Sequence, residues 1–412
     1  IYDLNGEKIV VSTLEPHLFI NLRKITDQNL LNYKQLIQYN FSELDNSEIN
    51  EIFDSKEILS LVINLSNVEY EVRNNLLMNY DAFEIIDLPI RQYIQNELFA
   101  HTIGYLGKPN QDDTGEFINA LRNNQVGKNG LERQYEDFLS GTSGEIIFEG
   151  SKIINFKQPI PGNDLFLSID SSTQSVVRES LQQGIELANK SFASSSEIKR
   201  GAAVVLDIET GNVVSMVSLP DYDPNKFITG ISDFEYKQLD REQAFNNFAI
   251  QGLYPPGSVF KVVAYWLAIS ENIFPEELNN KDSNIDCEGS LSFGFDDGSQ
   301  QVYNDWKLEG HGKVDLGEAI RQSCNVYFWD IALKIWRNFG NTEAESVLQD
   351  YSRELGFSNK TNIDLPFEKV GIIPDRELFE EWKISRPGLI REEGWLGGDL
   401  MNLIIGQGAI TT

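Results

Sequence analysis

Nowhere in the 412 residues does an apolar run reach the roughly 18 positions that a membrane-spanning helix needs, and no signal-peptide pattern stands at Ile1. Both ends fall in β-prone sequence: Ile1-Tyr2-Asp3-Leu4 runs into an Asn5-Gly6 turn, and Ala409-Ile410-Thr411-Thr412 closes the chain. The sequence therefore reads as part of a longer protein, and the missing apolar run excludes little. Cysteine is scarce. Cys287 and Cys324 are too few for a disulfide scaffold and leave a single bridge, a metal site or plain buried thiols. Basic residues are also short, 34 Lys and Arg against 63 Asp and Glu, for a formal net charge of −29. Such a surface repels phosphate backbones and anionic headgroups, so nucleic acid is excluded as a natural partner. What is present is ordinary globular material, 41% hydrophobic and 24% charged, long enough for two or three domains and unlike a disordered chain.

Residues 1 to about 165 alternate short strands, polar helices and turns. Asn, Gln and Glu are dense from 27 to 80, where Ile58, Leu61, Val62 and Leu65 follow a helical spacing. Glycines at 127, 130, 141, 144 and 150 bracket the acidic segment Leu131 to Glu136, which reads as turn, helix and turn. No catalytic constellation stands out, and the region reads as a scaffold or docking domain. Pro159, Pro161 and Gly162 mark a domain boundary, giving 1–162 and 163–412. Beyond it, Leu165 to Ile169 reads as a short strand. Val177, Leu181, Ile185, Ala188 and Phe192 then recur at steps of four and three, predicting a long amphipathic helix after cap candidates Asp170, Ser171 and Ser172. Ala202 to Ile208 and Val213 to Ser218, joined by Glu209-Thr210-Gly211-Asn212, predict an antiparallel hairpin. With a mostly helical insertion from about 232 to 350, the fold class is α+β.

The richest octapeptide is Tyr254-Pro255-Pro256-Gly257-Ser258-Val259-Phe260-Lys261. Its prolines and glycine make a rigid turn, and the apolar run Val262, Trp266, Leu267 and Ile269 then reads as a buried helix. Ser258 then stands at a helix start with Lys261 one turn on. A serine hydroxyl needs a base to become a nucleophile, and a helix start offers N–H groups to a developing oxyanion. Lys261 serves only if its pKa drops from about 10.4 by roughly 3 units, worth about 4 kcal/mol of desolvation and neighbouring charge. The same residues also fit an N-cap serine and a lysine reaching solvent. Downstream, Ser323-Cys324-Asn325 precedes an aromatic-rich helix from Val326 to Ile335. A hydroxyl there can relay a proton and an amide can orient a lysine or a substrate carbonyl, although helix capping uses the same residue types.

Taken in order, these segments resemble the penicillin-binding proteins, specifically class B transpeptidases of the elongation or rod-shape type (penicillin-binding protein 2). Ser258-x-x-Lys261 is similar to the acylated serine and its lysine, and Ser323-Cys324-Asn325 to the Ser-x-Asn motif. Ala249 to Tyr254, Asp221-Tyr222-Asp223-Pro224-Asn225 and Ile405-Gly406-Gln407-Gly408 resemble further family segments; Asp3 to Gly6 resembles the family's segment just after the membrane anchor, and Gly127 to Glu132 with Tyr135-Glu136 and Gly144 resembles its non-catalytic pedestal domain. The resemblance implies a pedestal followed by a β-lactamase-like serine transpeptidase domain with an antiparallel sheet and a helical insertion. The family's Lys-Thr-Gly motif does not occur after Gly408, and Lys360-Thr361-Asn362 comes too early and lacks the glycine. Residues 1–412 alone are therefore expected to lack the C-terminal strands and to be catalytically silent.

For the intact protein the resemblance implies peptidoglycan cross-linking. Ser258 attacks D-Ala–D-Ala of a stem peptide, Lys261 is the base, Ser323 relays protons, and Asn325 holds Lys261 and the substrate amide. β-Lactams would stop at the acyl-enzyme. D,D-carboxypeptidase action, or a non-catalytic penicillin-binding sensor or scaffold, are the alternatives. Implied partners are stem peptides, β-lactams, a membrane glycan polymerase and rod-complex proteins. The implied location is the inner membrane, through one N-terminal anchor outside these residues, with the bulk in the periplasm. No catalytic cofactor is implied. Some rod-type members are similar in holding a structural zinc, and Cys287, Asp305, His311 and Cys324 would make a closed tetrahedral set. A Cys287–Cys324 disulfide, or a buried His311 bonded to Asp305, stays open beside it.

Overall fold

The computed structural model describes residues 1–117, 125–150, 152–191, 197–275, 280–294 and 300–412. These pack into two compact units, Ile1–Ala249 with Asp364–Pro366, and Ile250–Ile363 with Phe367–Thr412. Both mix helix and sheet, as the α+β expectation requires.

In the first unit, β1 (Val10–Asn21) is the centre of a three-stranded antiparallel sheet, flanked by β2 (Leu59–Asn64) and β3 (Phe83–Tyr93). Helices α1 (Leu30–Asn40), α2 (Asn46–Asp54) and α3 (Tyr70–Asn79) supply the rest of its core, in which Leu18, Ile20, Ile37, Ile49, Val62 and Leu76 are buried together. A capping box starts α2: Asp45 Oδ1 accepts from the Ser47 and Glu48 N–H groups at 2.7 and 2.9 Å, and Glu48 Oε2 accepts from the Asp45 N–H at 2.8 Å. The helical spacing of Ile58, Leu61, Val62 and Leu65 is misleading, because Leu59–Asn64 is a strand. Its residues Leu59, Ser60, Leu61, Ile63 and Asn64 register against β1, and Ser60 and Val62 turn inward. Pairing with a neighbour selects a period of two that the apolar run also satisfies.

Leu165 to Ile169 forms no regular strand; it contributes an isolated parallel bridge from Phe166 to Tyr2. The long helix is present as α4 (Ser171–Ser191), with Asp170 Oδ1 accepting from the Thr173 N–H at 2.7 Å. Val177, Leu181, Ile185 and Ala188 form its half-buried stripe, while Phe192 lies outside the described residues. The predicted hairpin is β4 (Gly201–Leu206) with β5 (Val213–Leu219). Gln174 of α4 is tied to β5: its amide donates to the Met216 carbonyl at 2.8 Å and accepts from the Met216 N–H at 2.9 Å.

In the second unit the core is built around α5 (Lys261–Ser270), α6 (Asn325–Phe339) and α7 (Gly397–Ile404). Leu267, Ala268, Phe328, Ile331, Ile335, Leu400 and Leu403 are among its buried residues. Of the apolar run expected to be buried only Leu267 is, because α5 packs by one face and leaves Val262, Trp266 and Ile269 exposed on the others. The predicted insertion is helical only in part, since short antiparallel pairs join Ile285–Cys287 to Gly312–Val314 and Ser290–Gly294 to Gln300–Asn304. The first pair brings Cys287 opposite Gly312 and so delivers the loop at residue 311 to the start of α6.

Candidate active site

Pro256 leads into a single 3-10 turn, Gly257–Phe260, that runs straight into α5. The turn is held from behind, where the Gly257 N–H donates to the Gly406 carbonyl at 2.8 Å and Tyr254 exchanges backbone bonds with Thr412 at 3.1 and 2.9 Å. Gly406 has φ +70°, and a Cβ there would lie 2.1 Å from the Gly257 carbonyl oxygen, so only glycine permits this approach. The support leaves Ser258 exposed at the start of the helix and Lys261 buried, at 1% exposure.

The Lys261 ammonium reaches the second motif. It donates to the Ser323 carbonyl at 2.8 Å, to Ser323 Oγ at 3.0 Å and to Asn325 Oδ1 at 2.5 Å, with its Nζ 5.7 Å from the Phe328 ring centroid. Burial lowers its pKa from 10.5 to about 8, against the opposing pull of the Asp305 carboxylate and Cys324. Three of the four candidate side chains, Lys261, Ser323 and Asn325, are thus assembled. Ser258 sits in the turn immediately before Lys261, and among the described residues no hydrogen bond joins its hydroxyl to the lysine.

Ser323 carries φ +55°, a left-handed conformation that costs a non-glycine residue about 1–2 kcal/mol. It lies in the reversal between the helix Leu316–Arg321 and α6, where the Cys324 N–H returns to the Ala319 carbonyl at 2.9 Å. The N-cap of α6 is Cys324, whose side chain makes no capping bond. Asp305 supplies the cap instead: its Oδ2 accepts from the Asn325 and Val326 N–H groups at 2.7 and 3.3 Å. A carboxylate at this end also complements the dipole of a 15-residue helix. Sequence reasoning missed this role, as it missed Trp306, whose indole N–H donates to the Ser323 carbonyl at 3.0 Å. The Asp305-Trp306 pair was visible, but nothing local joins it to a helix starting at Asn325.

The four metal candidates gather behind this loop. One ligand atom each from Cys287, Asp305 and Cys324 lies within 4.8 Å of the others, and all three residues are buried. The two Sγ atoms are 3.3 Å apart and both cysteines are free thiols. His311 Nε2 lies 3.2 Å from Asp305 Oδ1, and its other nitrogen is 3.4 Å from Gln322 Oε1. His311 therefore joins through Asp305 and stands outside the three-residue group. Its backbone is fixed by an N–H to the Cys287 carbonyl at 3.0 Å, next to Gly310 at φ +78°, where a Cβ would lie 2.0 Å from the same oxygen. Burial pushes the Cys324 thiol well up. His17 and His101 are packing residues elsewhere, contacting the Glu15 and Ala244 carbonyls.

Comparison with known proteins decides which family has this arrangement. Residues 201–411 match the penicillin binding protein transpeptidase domain, and residues 1–167 the penicillin-binding protein dimerisation domain. The chain belongs to the penicillin-binding protein transpeptidase family. It is similar to the peptidoglycan D,D-transpeptidase MrdA of Acinetobacter baumannii, at 30% identity over 100% of this chain and 57% of that protein. The Haemophilus influenzae MrdA is 32% identical over 80% of this chain and 47% of the relative. Among solved structures, a complex between Penicillin-Binding Protein (PBP2) and MreC from Helicobacter pylori superposes with TM-score 0.78 at 27% identity, covering 100% of this chain and 72% of that one. PBP2 of Pseudomonas aeruginosa in complex with WCK 5153 gives TM-score 0.57 at 32% identity over 78% of this chain and 61% of that one. These likenesses make the family member class B and PBP2-like, as the motifs implied. The chain spans about half to three-fifths of the length of the curated relatives it matches.

Proposed function

We propose that the protein is a peptidoglycan D,D-transpeptidase acting through a Ser258 acyl-enzyme. The observation that carries this reading is the buried Lys261 amine, held by Ser323 and Asn325 one turn after an exposed serine and shifted toward neutrality. In the first step neutral Lys261 takes the Ser258 proton while Oγ bonds to the penultimate D-Ala carbonyl. The peptide C–N bond breaks, and the departing D-Ala amine receives a proton through Ser323. In the second step the amine of a neighbouring stem attacks the acyl carbon, its proton returns by the same groups, and Ser258 is released as the free hydroxyl. A β-lactam enters by the first step and remains attached. Asn325 keeps Lys261 in place and is positioned to accept from a substrate amide.

The Cys287, Asp305, His311 and Cys324 set fits a structural zinc in donor chemistry, two thiols with a carboxylate and an imidazole and, among the described residues, no fifth candidate. When bound, zinc would supply a crosslink pinning the loop beside Ser323. The thiols must lose protons to bind it, which ties occupancy to pH. No helix among the described residues is long and apolar enough to cross a membrane. By likeness to its relatives, we place the protein outside the cytoplasmic membrane on an N-terminal anchor. The domain matched by residues 1–167 would then serve as a docking surface for rod-complex proteins and a membrane glycan polymerase. A solved relative paired with MreC supports such a partner.

The test is labelling with a fluorescent penicillin of a chain extended through a Lys-Thr-Gly element, with residues 1–412 run beside it. Label on Ser258 in the extended chain, lost in Ser258→Ala, is expected, with none on residues 1–412 alone. Label that survives Ser258→Ala refutes the assignment, and analysis of products from defined stem peptides separates cross-linking from trimming.

A further inference from the structure

Asp305 and Trp306 are consecutive, yet they hold opposite ends of the Ser323–Asn325 segment. The carboxylate takes the Asn325 N–H at 2.7 Å, and the indole N–H reaches back to the Ser323 carbonyl at 3.0 Å. That carbonyl has a second donor, Lys261 Nζ at 2.8 Å. A carbonyl oxygen has two lone pairs, so indole and amine together saturate it. Both bonds depend on Ser323 keeping its left-handed backbone at φ +55°, the conformation that also aims its Oγ at Lys261, 3.0 Å away. The Trp306 ring meets His311 edge-on, with centroids 5.4 Å apart, while the residue as a whole remains 65% exposed. A tryptophan left so open contributes little apolar burial for its size, and its one polar atom is committed to Ser323.

We propose that Trp306 is a positioning residue for the proton relay: its indole N–H fixes the Ser323 carbonyl and so holds Ser323 Oγ within reach of Lys261. The role rests on the transpeptidase reading for its consequence in catalysis, but the bond itself can be tested without any turnover. Trp306 does not need to touch substrate. Removing its N–H should therefore slow acylation without weakening the ligand encounter that precedes it.

Two measurements decide the matter. In residues 1–412 labelled with 15N at indole nitrogen, the Trp306 cross-peak is assigned by its loss in Trp306→Phe. It should exchange with deuterium more slowly than a free indole and should shift in Lys261→Met, because both groups share one acceptor. A Trp306 N–H that exchanges as a free indole does, or ignores Lys261→Met, overturns the proposal whatever the protein's activity. In the extended chain, Trp306→Phe keeps a ring against His311 and loses only the donor. The first-order penicillin acylation rate should fall about tenfold, the equivalent of one hydrogen bond, with the dissociation constant of the preceding complex unchanged. An unchanged acylation rate, or a loss confined to that dissociation constant, overturns the positioning role. If the parent chain fails to acylate at all, the transpeptidase reading fails and the indole measurement still stands.

Discussion

Lys261→Met is the most informative single change in the second unit. Lys261 is 1% exposed and its pKa is lowered from 10.5 to about 8 by burial. A lysine with a depressed folded-state pKa binds its proton more weakly in the native protein than in the unfolded chain. Its contribution is therefore missing below pH 8, grows as pH rises, and is complete above the unfolded value. The full difference is about 3 kcal/mol, of which about 2 kcal/mol is recovered between pH 7 and 9.5. Methionine matches the stem in length and removes the titration, but it leaves Ser323 Oγ and Asn325 Oδ1 without their lysine donor. Each orphaned half-buried acceptor costs up to about 1–3 kcal/mol, so gain and loss at pH 7 are of similar size and the absolute stability change decides nothing.

The pH slope decides. Urea unfolding of both chains at matched pH values should show the parent gaining about 2 kcal/mol on Lys261→Met between pH 7 and 9.5, with all other titrations cancelling in the difference. A flat difference refutes the depressed pKa and with it the general base. The same pKa governs acylation in the extended chain. About a tenth of Lys261 is neutral at pH 7 and half at pH 8, so the rate should climb about fivefold over that interval and less than twofold above it.

Glu136 offers the opposite sign in the pedestal. It is 4% exposed, and burial, reinforced by the Glu132 carboxylate, raises its pKa from 4.5 to about 7 against the Gly127 N–H that it accepts. Native protein then holds the proton better than the unfolded chain does, so stability is full below pH 4.5 and falls as pH rises through 7. Glu136→Gln should abolish a loss of about 2 kcal/mol between pH 5.5 and 8, read by hydrogen exchange in peptides spanning 126–140; persistence of the loss in the variant would show another group is responsible. For the metal set, untagged protein is expected to carry about one zinc per chain by elemental analysis, lost in Cys324→Ser and His311→Ala with a lower melting temperature. Metal-free protein with two titratable thiols, or with a Cys287–Cys324 disulfide, would remove zinc from the account.

The parts legible in sequence were those with local causes. Asp170 caps α4 because it stands three residues before the Thr173 N–H, and the stripe Val177, Leu181, Ile185, Ala188 lines the half-buried side of α4 because 3.6-residue periodicity needs no distant partner. The turn before Ser258 follows from Pro255, Pro256 and Gly257 in the same way. β2 failed this test, since its apolar run satisfies helix and strand spacing alike and only pairing with β1 resolves it. At the site, residue identities were legible and the bonding only in part. Lys261 was expected beside Ser258 and held by Asn325; Asn325 Oδ1 does accept from it, but its other two bonds go to the Ser323 carbonyl and hydroxyl and none to Ser258. Sequence spacing relates Lys261 only to Ser258; the stronger acceptors arrive through the tertiary packing of α5 against α6.

Asp305 shows why capping and catalytic readings of Ser323 and Asn325 could not be separated beforehand. A helix start must satisfy its first N–H groups, and serine and asparagine are among the best residues for doing so locally. Had either capped α6, its oxygen would face the backbone and not the lysine. A carboxylate from outside the motif meets that demand, taking the Asn325 and Val326 N–H groups, while the cap position itself goes to a cysteine that makes no such bond. The side chains on either side of Cys324 are thereby released toward Lys261. The same carboxylate opposes the lowering of the lysine's pKa and contacts His311. The two-cysteine cluster and the Lys261 amine are thus both linked to one buried acid, and a change at Asp305 must register at both.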